Sequence, residues 1–111
     1  MKDYYNLFVK LSLQQCTQYE YADESKVKSH NVASRKLRQL QNEMKHKGAT
    51  DVLSKLLLYG DERVNINAAA FCLEMDVFTV QAENVLKDII KNTGDSTIRF
   101  SAKMLLQNTK K

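Results

Sequence analysis

The sequence contains no proline and no tryptophan, and only three glycines (Gly48, Gly60 and Gly94) and two cysteines in 111 residues. Each shortage excludes something. With so few breakers and sparse β-branched runs, nothing interrupts helix for long, and an all-α chain is expected. Cys16 and Cys72 lie far apart, with neither a CxxC pair nor the spacing of a secreted disulfide framework. Both fall on apolar faces and are expected to be buried, reduced thiols. No apolar run approaches the roughly 18 to 20 residues that a membrane span needs. The opening MKDYYNLF lacks the long apolar stretch of a signal peptide, so a cytoplasmic protein with no membrane contact is expected.

The motifs of chemistry are missing too. There is no HExxH, no Cys/His cluster, no GxxxxGK[ST] and no GxGxxG. The only histidines, His30 and His46, stand 16 residues apart on one expected helix, or roughly 24 Å. They point to opposite sides and read as ordinary surface histidines. Asp51, Asp61, Glu62 and Asp95 each begin an expected helix, where a carboxylate satisfies open N–H groups and the helix dipole. The serines have no nucleophile context. The chain is therefore expected to be no enzyme, with no catalytic residue, cofactor or metal.

What is present is a repeat. Gly60-Asp61 recurs as Gly94-Asp95, and a shift of 34 residues lays Val52 on Leu86, Leu56 on Ile90, Val64 on Ile98, Ile66 on Phe100, Ala68 on Ala102 and Phe71 on Leu105. That offset is about one helical hairpin of a solenoid, an architecture that makes binding surfaces more often than clefts. A single domain follows, built as three hairpins over residues 1–48, 49–76 and 77–108. The fold expected is a short HEAT-like α-solenoid of about six helices.

Periodicity places the helices at about 3–21, at 23 or 25 to 48, and at 51–59, 62–75, 77–92 and 96 onward, with 108–111 frayed. Asp3, Thr50 and Asp61 are the expected caps, and Gly48, Gly60 and Gly94 the expected stops. The second helix is the clearest amphipathic segment. Ala33, Leu37, Leu40 and Met44 make one stripe, and Lys28, Asn31, Arg35, Arg38, Asn42 and Lys45 make another about 160° away.

Charge is uneven along the chain. The net charge is +4, and residues 26–47 hold seven basic residues against Glu43 alone. Such a stripe suits a solvated face, an acidic or mixed protein surface, or nucleic acid. Nucleic acid is the least favoured of these, because the charge is small and no aromatic residue interleaves with the stripe. Asn31 reads equally as a surface contact or an inter-helix hydrogen bond. Arg63 and Arg99 stand in the first turns of their helices and oppose the dipole there. Each is expected to be held by a carboxylate, within the fold or outside it.

The ordered set of a Tyr-rich opening helix ending QYEYAD, then HNVASRKLRQLQNEMKHKG, DVLSKLLLYGDERVNINAAAFCLEMD, AENVLKDIIKN and IRFSAKMLLQ resembles a family of small bacterial HEAT-like domains of uncharacterised function. The likeness covers about residues 5 to 107. Its most specific pieces are Asn31, Gly48, Leu56-Leu57, the stretch from Arg63 to Leu73, and Val85-Leu86. The chain departs from the family by closing on Gln107 to Lys111 and by lacking a proline after Met75.

Some members of that family are immunity proteins of contact-dependent inhibition or polymorphic toxin systems. The resemblance thus implies a cytoplasmic immunity protein that binds a cognate toxin domain, such as a nuclease, one to one. Tyr21, Asn31, Arg35, Arg38, Arg63 and Arg99 are the expected partner-binding residues, since tyrosine and arginine are the usual interface anchors. The alternatives are a nucleic-acid-binding helical module and a protein-interaction scaffold. A monomer or weak homodimer is expected.

Overall fold

The protein is described by a computed structural model covering residues 3–14 and 24–109, the side chains of Ser25, Lys26 and Thr109 excepted. Its elements are α1 (Tyr4–Leu13), α2 (Glu24–Lys47), α3 (Leu53–Leu56), α4 (Glu62–Met75), α5 (Thr79–Asn92) and α6 (Ser96–Thr109). No strand occurs among the described residues, so the fold is all-α.

The centre of the molecule is α4. Val64, Ile66, Ala68, Ala69, Phe71 and Cys72 are all buried along it, and it packs against α1, α3, α5 and α6. Two adjacent alanines let neighbouring backbones approach closely. Phe8 from α1, Leu37, Leu40 and Met44 from α2, Leu53, Leu56 and Leu57 around α3, and Leu86 from α5 complete one continuous core. Full burial of each such side chain stabilises the fold by about 1.5–3 kcal/mol. The apolar stripe of α2 is buried along its whole length, as its spacing predicts.

Caps set the boundaries. The Asp3 carboxylate accepts from the Asn6 amide at 3.1 Å and starts α1. Asp61 accepts from the Arg63 amide at 2.8 Å and starts α4. Asp95 accepts from the amides of Thr97 and Ile98 at the start of α6. Gly48 takes φ +65 after α2, and the Ala49 and Gly48 amides close back on Met44 and Lys45. This is the Schellman arrangement.

Three boundaries differ from expectation. The first helix ends at Leu13 rather than near residue 21: the Gln14 amide turns back to Leu11, and the Leu13 carbonyl accepts from Arg63. Residues 15–23 lie outside the described residues, Cys16 and Tyr21 among them. The third helix is only four residues in regular α form, although winding extends from 50 to 59. Bonds of i→i−3 type tighten both its ends, from Leu53 to Thr50 and from Tyr59 to Leu56. Val52, not Thr50, occupies its cap position. Gly60 and Gly94 do not take left-handed geometry, so neither is a stop of the Gly48 kind.

The left-handed position after α4 is Asp76 at φ 56, closing the same Schellman pattern through Val77 to Cys72 and Asp76 to Leu73. Glycine takes that geometry without steric cost, and a carboxylate at a helix C-terminus meets the negative end of the dipole. Asp76→Gly should therefore raise unfolding stability by about 0.5–1 kcal/mol in urea titration, while Gly48→Ala lowers it by about 1 kcal/mol. An Asp76→Gly protein no more stable than the parent would refute this account of the turn.

Candidate functional site

Five of the six sequence-derived partner residues lie in the described region, and they divide into two groups. Asn31, Arg35 and Arg38 are exposed on the outer face of α2, opposite its buried stripe, with Lys28, Asn42 and Lys45 beside them. Arg38 reaches Glu74 of α4 at 3.0 Å, and both side chains keep much of their exposure, 60% and 44%. A pair so open to water contributes little to stability. It does fix the edge of the basic stripe against α4.

Arg63 and Arg99 are the second group, and both act within the fold. The Arg63 guanidinium donates to both carboxylate oxygens of Asp61 and, at 3.1 Å, to the Leu13 carbonyl at the end of α1. Arg99 donates to the carbonyls of Ile90 and Thr93 at the end of α5. A carboxylate holds the first; backbone carbonyls hold the second. Open carbonyls at a helix C-terminus welcome a cation, so each arginine joins the start of one helix to the end of another.

The 34-residue offset is visible in these bonds. Asn65, which the offset lays on Arg99, donates to the carbonyls of Leu56 and Leu57 at 3.0 Å, and Leu56 is the counterpart of Ile90. Asp61 and Asp95, again counterparts, cap their helices alike. One equivalence fails in space: Ile66 is buried, whereas Phe100 is 65% exposed. No described helix covers α6 as α6 covers α4.

That difference creates the main groove. It lies between α4 and α6, holds about 460 Å³, and is lined by Arg63, Ile66, Asn67 and Ala70 on one side and by Thr97, Phe100, Ser101, Met104 and Asn108 on the other. His30 of α2 closes one end. Phe100 and Met104, one turn apart, form the exposed apolar rim. Asn67 also donates to the Ser12 hydroxyl at 3.0 Å, which satisfies a fully buried group and ties α1 to this wall.

Sequence reasoning missed the groove. Laying Phe100 on Ile66 placed it inside, whereas its helical phase relative to Ile98 and Ala102, 200° from each, points it outward. The phase was the correct signal.

The ionisable groups here are structural in character. Burial pushes the Cys72 thiol up to about 11, so it stays protonated and unreactive. Burial also holds His30 below the usual imidazole value, leaving it neutral at pH 7. For Asp61, burial is the strongest single influence and acts upward. The hydrogen bonds and charge of Arg63, with the Val64 amide, together outweigh it and keep the carboxyl below its usual range. Among the described residues no three His, Cys, Asp or Glu side chains are grouped to hold a metal ion, and no helix is long and apolar enough to cross a membrane.

Comparison of the chain with models of protein families, with curated proteins and with solved structures finds no match in any of the three.

A carboxyl depressed in the folded state stabilises above its unfolded value, and that contribution disappears as pH falls through the folded value. Asp61→Asn keeps a capping oxygen but loses the charge. The parent should be the more stable of the two at pH 7, with the gap closing as pH drops below about 4. Chemical denaturation at a series of pH values measures this; a gap constant from about pH 6 to pH 3 would mean the Arg63 charge pairing contributes nothing.

Proposed function

We propose that this chain is a short HEAT-like stack of three helical hairpins, and that it is no enzyme but a cytoplasmic immunity protein. It binds a cognate bacterial toxin domain, such as a nuclease, one to one and neutralises it by covering the working surface. The resemblance in the chain's ordered segments supplies the toxin. The paired hydrogen bonds of Asn65 and Arg99 support the stacked-hairpin part of the reading.

The observation that carries the binding role is the outer face of α2. Asn31, Arg35 and Arg38 stand exposed on a 24-residue helix whose other side is consumed by the core. Arginines so placed are the anchors that protein interfaces favour. A basic face calls for an acidic or mixed surface on the toxin domain. The exposed Phe100 and Met104 favour a protein partner over nucleic acid, which would be met by charge and stacking platforms.

The test is co-expression with the product of the adjacent gene. The parent should protect cells and co-purify with that product. Arg35→Ala/Arg38→Ala should bind it at least tenfold more weakly with an unchanged melting temperature, because both side chains are exposed. A parent that never protects is not the immunity factor. Binding to duplex or tRNA that falls steeply with salt and is lost on Arg35→Ala/Arg38→Ala/Lys45→Ala would instead establish the nucleic-acid reading.

A further inference from the structure

We infer that the groove between α4 and α6 is the seat of an acidic amphipathic helix contributed by the partner protein. This rests on the protein-binding reading above and adds the docking site and the chemistry of its occupant.

The argument begins with a missing cover. Ile66 is 9% exposed, and its counterpart Phe100 is 65% exposed. Ile66 lies in the wall against which α6 stacks, and Phe100 presents the same kind of surface one hairpin further on. With Met104, 41% exposed and one turn along, it forms an i, i+4 apolar pair on the outside of α6. A helix laid across that pair would meet α6 as α6 meets α4, with its own anchors at i, i+3 and i+4.

Charge selects the occupant. The helix α6 carries Arg99 and Lys103 and no acidic residue. The helix α2, which closes the groove through His30, carries seven basic residues against Glu24 and Glu43. Glu74, the acidic group beside the groove, is paired with Arg38. A second copy of this chain would bring α6 against α6 across a two-fold axis, setting Lys103 near its own mate with no carboxylate on either helix. An acidic helix avoids that repulsion and gains from both basic walls. The side chains of Asn67, Ser101 and Asn108 supply hydrogen-bonding groups along the groove for the polar edge of such a helix.

The probe is a labelled 18-residue amphipathic peptide with leucines at i, i+3, i+4 and i+7 and glutamates on its other faces, read by fluorescence anisotropy. Its control carries lysine for every glutamate. The parent should bind the glutamate peptide at least tenfold more tightly than the lysine peptide, and Phe100→Ala/Met104→Ala should lose at least tenfold. Both side chains are exposed, so circular dichroism should show the double variant folded; Lys103→Glu is a second variant that leaves the apolar rim intact and should also bind more weakly. Equal affinity for the two peptides, no binding of either, or a double variant that binds like the parent would each overturn the inference. So would sedimentation showing a parent dimer that the double variant lacks, since the occupant would then be a second copy. If the double variant still protects cells, the groove is not the docking site although the immunity reading stands; if the parent fails to protect, that reading falls whatever the peptides do.

Discussion

Everything in this molecule hangs on α4 being buried along most of its surface while still carrying polar side chains. A helix so enclosed must find partners for each of them or bear the cost of unsatisfied groups. It does so by reaching for what its neighbours lack. Arg63 and Asn67 turn towards the end of α1, and Asn65 turns the other way to the end of α3. Helix ends have open carbonyls, and the central helix supplies donors. Apolar burial gives the core its cohesion, and these bonds give it a fixed arrangement, because each joins one particular residue to one particular helix end.

The same logic divides the surface. Side chains needed inside, including two of the arginines that sequence alone marked for a partner, are engaged with backbone groups or with Asp61. The cations left outside concentrate on α2, while α5 balances Glu83 and Asp88 against Lys87 and Lys91. The result is a protein whose exposed positive charge lies along one helix, next to the groove with the exposed aromatic rim.

Much of this was legible in the sequence where the signal was local. The run from Glu62 to Met75 with its Asp61 cap, the Gly48 stop and the two faces of α2 follow from capping chemistry and 3.6-residue periodicity. Where the signal was not local, the sequence was silent. The contact that receives the end of α1 joins Leu13 to Arg63 across 50 residues, and nothing near residue 13 announces it. The tightening of α3 depends on the i→i−3 bonds at its ends, which a row of leucines does not reveal. Phe100 was obscured by the repeat itself, since an equivalence in sequence says nothing about whether a neighbour is there to cover the position.

The turn between α4 and α5 deserves its own consequence. Asp76 and Phe78 both adopt positive φ, with Val77 between them. For a bulky residue such as Phe78 that backbone is sparsely populated and persists only where the surroundings over-determine it. Its ring packs against the core, and its carbonyl accepts the Ala82 amide in the first turn of α5. A joint fastened at three successive residues does not flex freely. The last hairpin is thus set at one angle to the rest, and the curvature that any visiting molecule meets is dictated by this corner rather than negotiated on arrival.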